Sequence, residues 1–365
     1  MRKANCYFIY FIAIFIFSTI SAFSADKPCT PHFSATQVWQ GADAAYSIPL
    51  PDGRSVWIFG DTIYGSERKL DGAEPRMVRN STAVSTCKDG NFAIDYVIRK
   101  SGSGKPLDFF QSRNRNTWYW ALDGFYHDKS LYMTLLCLRN KPVTAADPIG
   151  FETCGADIAR IGDLDADPQD WTMEYFPLVA DGVKAYPSAT TVVSGDYAYL
   201  FGLYENTERP LLVTRIPLDG LGNPQKNLQY LAKDGAWKPG FAPADAKPVM
   251  DNGVTELSIR YHPEMKKWVA VMMDPKLTGT VILRTAPELT GPWAQGQAIY
   301  RVPELRKDLA GYDSDTFCYA GKEHPEFEKG DLLFTYVCNT MKVPKLVEKL
   351  DIYYPQVLRV AMPKE

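Results

Sequence analysis

Three acidic and two aromatic residues stand at positions that could surround one pocket. Asp43, Asp61 and Glu256 are the acids, and Trp120 and Tyr186 are the aromatic residues. Hydrolysis of a glycosidic bond needs one carboxylic acid that protonates the leaving oxygen and one carboxylate that attacks or activates water. Aromatic faces can stack on sugar rings. This set of residues could form a carbohydrate site in which Asp43 and Asp61 are the catalytic pair and Glu256 tunes or assists them.

Each of these residues also has a structural interpretation. Asp61 follows a glycine and could close an Asx-type turn, and Asp43 could be a solvated loop acid. Glu256 could pair with an arginine of the channel, and Trp120 and Tyr186 could be ordinary core aromatics. If the two aspartates do lie close together, their charges would push their pKa values apart.

Four further polar residues share the same predicted register or lie beside Asp61. We expect these four to contact a substrate: Arg79, Asn80, Asp123 and Asp315. Asn80 also begins the sequence Asn80-Ser81-Thr82, an acceptor for N-glycosylation that has meaning only in a eukaryotic host.

A repeated strand pattern must position these residues. An aromatic-rich strand recurs five times in the sequence. Each copy is preceded by a tight-turn signal, and the turn is preceded by another strand. The five copies are residues 56–59, 131–134, 197–201, 268–271 and 332–336. Repeated units of four short strands predict an all-β protein, a five-bladed β-propeller that forms a single domain over residues 25–365. A β-sandwich and a β-helix stay open as alternatives, although a sandwich lacks a regular unit repeat and a β-helix has shorter periods.

The propeller register determines which side chains converge. The first strand of each blade lines the central channel, so the leading ends of these strands meet at one channel mouth. Asp61 returns to the same edge as Asp43 because a hairpin reverses the direction of the chain. The same register puts His127, His262 and His324 at hairpin turns, where we expect them to be structural.

The N-terminus is typical of an exported protein. Two basic residues precede an apolar run from Tyr7 to Ile20, and small residues follow it. This pattern predicts a signal peptide over residues 1–24, cleaved after Ser24. A retained membrane anchor is the alternative, although the run is short for a spanning helix. We expect a secreted or periplasmic protein with no membrane contact after cleavage.

Beyond the predicted leader the chain carries an even number of cysteines, as disulfide-bonded proteins of oxidising compartments do. Pairing between local partners joins Cys29 to Cys87, Cys137 to Cys154, and Cys318 to Cys338. Zinc is the weaker alternative, because the sequence has no C-x-x-C pair and no two histidines at metal-motif spacing.

Charge and composition limit the partners. The formal net charge is −3, and lysine and arginine are not clustered. A nucleic-acid partner would need a basic surface, so we expect none. We expect instead a monomer that binds a polysaccharide or oligosaccharide and needs no cofactor, with a structural calcium held by channel carboxylates as an open possibility.

Several segments resemble a known family. They are 41–47, 57–62, 118–124, 255–261, 285–293 and 319–326, which together span most of the chain. They resemble a family of secreted five-bladed propellers catalogued as a domain of unknown function, which includes microbial endo-D-arabinanases. The resemblance implies a glycoside hydrolase, with catalysis by the aspartates that match here as Asp43 and Asp61. It does not fix the sugar, and a non-catalytic glycan-binding propeller stays the alternative.

Overall fold

The protein is built almost wholly from antiparallel β-strands. The structure, a computed structural model, describes residues 29–72, 74–145 and 150–362, so the predicted signal peptide lies outside the described residues. In these residues the helices are limited to α1 (Pro224–Asn227), α2 (Val343–Glu348) and three single 3₁₀ turns. None of the described helices is long and apolar enough to cross a membrane.

The first third of the chain forms nine strands in three sheets. The strands are β1 (Trp39–Ala42), β2 (Tyr46–Pro49), β3 (Arg54–Phe59), β4 (Thr62–Tyr64), β5 (Leu70–Asp71), β6 (Glu74–Pro75), β7 (Met77–Val78), β8 (Ser81–Lys88) and β9 (Asn91–Val97). The first main sheet has the order β2-β3-β8-β9. Strands β4 to β7 are inserted between its second and third strands; β4 and β7 form a small sheet with the preceding β1 in the order β1-β4-β7, and β5 pairs with β6.

The rest of the chain forms four more sheets, each built from consecutive strands. The second sheet contains β10 (Thr117–His127), β11 (Ser130–Asn140), β12 (Phe151–Ile161) and β13 (Met173–Val179). The third contains β14 (Ala185–Ser194), β15 (Tyr197–Tyr204), β16 (Leu211–Pro217), β17 (Gln229–Leu231) and β18 (Trp237–Pro239), with α1 before β17. The fourth contains β19 (Leu257–His262), β20 (Lys267–Met273), β21 (Thr280–Ala286) and β22 (Gln297–Arg301), and the fifth β23 (Thr316–Glu323), β24 (Asp331–Thr340) and β25 (Gln356–Ala361), with α2 before β25.

The repeated pattern seen in the sequence corresponds to the first hairpin of each main sheet. The five aromatic-rich segments are the second strands β3, β11, β15, β20 and β24, and the strands predicted before them are the first strands. Residues of these second strands are mostly buried, because both of their faces lie under neighbouring sheets. This confirms the predicted all-β class and the strand assignment.

Neighbouring sheets pack face to face in chain order. First strands contact one another from β2 to β10, β14, β19 and β23. The return contact joins Ser47 Oγ on β2 to His324 Nδ1 beside β23, at 2.7 Å. Separate apolar clusters fill the spaces between sheets, for example Trp57 against Phe327 and Leu333 between the first and fifth sheets. Burial of these apolar faces is the main driving force for the arrangement.

A seam between the first and fifth sheets is held by polar links as well. The buried Arg68 donates to the carbonyl oxygens of Gln40 at 2.9 Å, Leu346 at 2.9 Å and Ile352 at 2.8 Å. Arg359 on β25 donates to the Cys29 carbonyl at 3.2 Å. These bonds tie the beginning of the described chain, and the insert after β4, to its last strands.

All three predicted disulfides are present. Cys29 is bonded to Cys87, Cys137 to Cys154, and Cys318 to Cys338. The first anchors the N-terminal segment on β8, and the other two join neighbouring strands of the second and fifth sheets. Such bonds fit a protein of an extracellular or periplasmic compartment.

Candidate active site

Asp43 and Asp61 are brought together by the first hairpin. Asp43 precedes β2 and Asp61 follows β3, and these antiparallel strands pair Tyr46 with Ile58 near that edge. The Asp43 N–H donates to the Asp61 carbonyl at 3.0 Å, and the Gly60 N–H donates to the Asp43 carbonyl at 2.9 Å. Backbone bonds in both directions therefore fix the two acids side by side.

A glycine before Asp61 makes this approach possible. A Cβ atom added at Gly60 would lie 3.0 Å from Asp43 Cβ, closer than nearly all real contacts of this kind. Any larger residue at position 60 would push the two acidic residues apart.

Burial favours the protonated forms of both acids, and the charge of Asp61 adds to this effect on Asp43. Burial first, and then the charge of Asp61, raise the pKa of Asp43 well above its ordinary value, against the lowering effect of a Tyr319 hydrogen bond. Burial raises the pKa of Asp61 to about 6, against the lowering effect of Arg79 and of the Trp120 indole. A carboxyl group such as Asp61, whose pKa of about 6 lies near neutral pH, is suited to acid–base catalysis.

Tyrosines of the fifth sheet complete the surroundings of the pair. The Tyr319 hydroxyl donates to Asp43 Oδ1 and accepts from Asn339 Nδ2 at 3.0 Å. The Tyr353 hydroxyl donates to the Asp61 carbonyl at 2.9 Å. We did not identify these tyrosines as site residues from the sequence, although Tyr319 lies in one of the segments that carry the family resemblance.

The backbone next to these groups is strained. Ala44, Ala320 and Tyr353 have φ angles of 56°, 56° and 66°, in the left-handed region that non-glycine residues avoid. Ala44 and Ala320 directly follow Asp43 and Tyr319. Strain that the surrounding fold maintains is concentrated at functional sites in proteins, and here it surrounds the acid pair.

One oxygen of Asp61 is paired and the other is not. Arg79 Nη1 lies 3.2 Å from Asp61 Oδ2, and the guanidinium stacks on the Trp118 ring at 4.8 Å from its centroid. Asp61 Oδ1 is buried without a hydrogen-bond partner among the described residues. The Trp120 ring packs edge-on against Phe151 at 5.0 Å. The Trp120 indole nevertheless stabilises the ionised Asp61 carboxylate and lowers its pKa, so the carboxylate lies in a site lined by aromatic residues.

Glu256 reaches the same region from the fourth sheet. Its carboxylate accepts from Thr255 Oγ1 at 2.6 Å, and burial raises its pKa. Glu256 and Tyr319 both line a cavity of about 180 Å³, together with Arg209. The charge of Glu256 also contributes to the raised pKa of Asp43. Glu256, Asp43 and Asp61 therefore form one electrostatically coupled group.

Asp123 lies in the interior. It is fully buried, with Oδ2 3.1 Å from Lys322 Nζ, 2.8 Å from Thr190 Oγ1 and 2.7 Å from the Thr191 N–H. Burial works to raise its pKa, but the charges of Lys322 and Arg260 and these hydrogen bonds outweigh burial and lower it. Asp123 therefore sits in a buried ion pair with no solvent contact rather than at a surface a substrate could reach.

Asn80 is also internal. Its side chain is fully buried, donates to the Tyr119 carbonyl at 2.9 Å and accepts from the Phe110 N–H at 2.7 Å. This side chain fixes the segment after β9 to β10. Its burial leaves no room for a glycan on the Asn80-Ser81-Thr82 sequence in the folded protein.

The last two predicted contacts, Tyr186 and Asp315, have partners other than the acid pair. Tyr186 is buried and lines a small cavity with Leu122 and Thr255. Asp315 lies 2.7 Å from both Lys342 and Lys345, which lower its pKa. Neither of the two metal-like groups of side chains in the described residues includes Asp43, Asp61 or Asp123, so the calcium possibility stays a prediction.

The sheets and this site define an all-β protein with a half-buried acidic centre at one edge of its first strands. A family model described as a domain of unknown function, DUF5005, matches residues 26–362, and the chain belongs to that family. No curated protein sequence matches the chain. The arabinanase activity and the secretion implied by the sequence resemblance stay predictions.

One solved structure shares the fold, and two others match the chain more weakly. A protein from Bacteroides ovatus ATCC 8483 described as a "putative hydrolase" is 18% identical, covers 90% of this chain and 87% of its own, and has a TM-score of 0.69. A GH43_1 enzyme from Xanthomonas citri is 11% identical over 90% of this chain and 88% of its own, with a TM-score of 0.45. A xylan β-1,4-xylosidase from Bacillus halodurans C-125 is 10% identical over 85% of this chain and 51% of its own, with a TM-score of 0.47.

Proposed function

We propose that this protein is a glycoside hydrolase in which Asp43 and Asp61 are the catalytic carboxyl groups. The observation that carries the proposal is their direct backbone pairing together with the raised pKa of both side chains. A pair that holds one proton near neutral pH supplies both groups that glycosidic cleavage needs. The protonated carboxyl donates its proton to the leaving oxygen, and the ionised one attacks the anomeric carbon or activates water.

Glu256 is proposed as the third member of this site. The negative charge of Glu256 disfavours ionisation of Asp43 and so helps to keep one proton on the pair of aspartates. Arg79 stabilises the ionised form of Asp61, and the Tyr319 hydroxyl stabilises the ionised form of Asp43. The ring face of Trp120 is proposed to contact a sugar ring.

The five main sheets are proposed to be the blades of a five-bladed propeller. Consecutive contacts of the first strands, and the Ser47–His324 bond that joins the first sheet to the fifth, support this arrangement. The site would then lie at one mouth of the central channel. With the predicted signal peptide and three disulfides, the substrate is proposed to be an extracellular or periplasmic polysaccharide, an arabinan-type furanoside being the first to test.

The test is a screen of the purified protein against arabinans, galactans and other polysaccharides, with products analysed by chromatography. We expect the wild type to release oligosaccharides and Asp43→Asn and Asp61→Asn each to lose about 100-fold or more in kcat/KM. Asp165→Asn is the matched control, because the side chain of Asp165 is 99% exposed and far along the chain from the pair.

An activated aryl glycoside with added azide then separates the roles within the pair. The variant that lacks the acid keeps activity on a good leaving group, and the variant that lacks the nucleophile or base is rescued by azide. Folded Asp61→Asn with undiminished cleavage would rule out the proposal. Glycan binding without cleavage by the wild type would identify a binding protein instead.

A further inference from the structure

A second cluster of ionisable side chains lies away from the acid pair, between the fourth and fifth sheets. His262 is the last residue of β19, Glu323 is the last residue of β23, and Glu328 precedes β24. The potential ligand atoms of these three residues all lie within 4.8 Å of one another. Because Asp43 and Glu256 precede the first strands while His262 and Glu323 end them, this cluster is at the opposite end of the inner strands.

The imidazole of His262 is oriented as a metal-binding histidine is. Its Nδ1 lies 2.9 Å from Glu264 Oε1, while its Nε2 faces Glu323 Oε1 at 2.6 Å. Without a metal, Nε2–H donates to Glu323; a metal ion would replace that proton, and Glu264, which accepts the Nδ1 proton, would hold the tautomer whose Nε2 lone pair binds the ion. In proteins this carboxylate–histidine arrangement orients the ring toward a bound metal.

The two glutamates contribute carboxyl oxygens to the cluster. Glu323 has a fully buried side chain, and its Oε2 has no hydrogen-bond partner among the described residues. Glu328 uses one oxygen to accept from the Leu333 N–H at 3.2 Å, and its carboxyl group also lies within 4.8 Å of the ligand atoms of His262 and Glu323. A buried carboxylate oxygen without a partner is costly unless a cation or a donor satisfies it.

The cluster holds more acidic side chains than basic ones. Glu264, Glu323 and Glu328 surround a single imidazole, so even a protonated His262 would neutralise only one of three carboxylates. None of the ion pairs of Glu323 or Glu328 in the described residues involves a lysine or an arginine. A divalent ion would neutralise the two inner glutamates and satisfy the open oxygen.

We propose that His262 Nε2, Glu323 and Glu328 bind a divalent transition metal, with zinc as the best match, and that Glu264 orients the histidine. One imidazole and two carboxylates suit zinc better than calcium, which takes oxygen ligands only. Zinc bonds of about 2.0–2.2 Å place ligand atoms roughly 3–4 Å apart, so small side-chain movements suffice. The ion would bind the fourth sheet to the fifth and leave the fourth coordination position to water.

The test measures zinc chloride binding to the purified chain after EDTA treatment and dialysis, by titration calorimetry and by metal analysis. We expect one saturable zinc per chain and a Tm that rises with zinc. Glu323→Gln should abolish saturable binding, and Glu264→Gln should weaken it about 10- to 100-fold. His127→Gln, a histidine at the corresponding turn of the second sheet, should bind zinc as the wild type does.

Glu328→Gln, which changes a half-buried turn residue, provides the same test if the Glu323 variant does not fold. The proposal is overturned if the wild type shows no saturable zinc binding, if Glu328→Gln binds zinc with unchanged affinity, or if calcium binds more tightly than zinc. All of these readouts are made without a glycan, so they are independent of the hydrolase test.

Discussion

Asp61 is a carboxyl group that keeps its proton more strongly in the folded protein than in the unfolded chain. Burial raises its pKa from 3.8 to about 6. Between about pH 4 and pH 6 the native state therefore binds more protons than the unfolded state does. The free energy of unfolding falls as the pH rises through this window, and the loss is complete above it.

Asp61→Asn should for this reason stabilise the protein at neutral pH. The amide has nearly the same shape and carries no charge, so the cost of burying a carboxylate disappears. We expect a gain on the order of 1–3 kcal/mol at pH 7.5 and no gain at pH 3.5, measured by urea unfolding at both pH values. Asp165→Asn should show neither effect, and an equal change at both pH values would contradict the explanation.

A gain in stability that accompanies a loss of activity would also characterise the site. Acids held in a buried and mutually repulsive position cost stability, and proteins maintain that cost where function requires it. The left-handed backbone conformations of Ala44 and Ala320, next to Asp43 and Tyr319, also lower the stability of the folded protein at this site.

At the level of elements, the strands could be predicted and their small additions could not. The first hairpin of each main sheet could be predicted from alternating aromatic and aliphatic residues between tight turns, as in β3 and β24. The sheet β1-β4-β7 contains strands of only two to four residues, whose pairing depends on distant partners rather than on local pattern. The predicted four strands per unit also fail in the fifth sheet, which has three, and in the third, which has five.

The candidate site could be predicted only as far as one hairpin extends. Asp43 and Asp61 meet because a hairpin reverses the chain, which a sequence pattern reveals. Tyr319 and Tyr353 reach them from the fifth sheet, and no local signal specifies contacts across such a separation. Asp123 shared the predicted register but is buried with Lys322, because register alone does not reveal which residues of an inner strand face solvent.

Arg68 should be indispensable to the seam between the first and fifth sheets. Its planar guanidinium serves carbonyl oxygens on both sides of the seam, including those of Gln40 and Ile352, and an ammonium group cannot reach them in the same directions. We expect Arg68→Lys and Arg68→Met each to lower the free energy of unfolding by about 2–4 kcal/mol, measured with urea.

Arg306→Lys is the control for this experiment, since Arg306 pairs with Asp308 on the exposed surface. It should change the free energy of unfolding by less than about 0.5 kcal/mol. An Arg68→Lys protein as stable as the wild type would show that the seam does not depend on the guanidinium geometry.

For the whole molecule, the disulfides should differ in how much each stabilises the fold. The Cys29–Cys87 bond closes a loop with a sequence separation of 58 residues, and the Cys137–Cys154 bond closes one of 17. Loop-closure entropy then predicts losses of about 4 and about 3 kcal/mol when each pair is replaced by serines. Unfolding of the two double variants in urea provides the measurement.

The Cys29–Cys87 variant should also lose the ordered contact between the N-terminal segment and Arg359, because the disulfide holds that segment in place. Hydrogen exchange of residues near Cys29 would show it as faster exchange. If the variant that lacks the 17-residue loop were the less stable of the two, loop closure would not be the main contribution of these bonds.

The seam between the first and fifth sheets also fixes a sequence of events during synthesis. Asp43 and Asp61 leave the ribosome early, whereas Tyr319, Asn339 and Tyr353 emerge near the end of translation. Since the tyrosine hydroxyls hold Asp43 and the Asp61 backbone, the nascent chain carries an incomplete acid pair until its last sheet has docked. Long-range closure of this kind is slow compared with hairpin formation. The proposed catalytic site would therefore be completed as the final event of folding, after most of the strands are already in place.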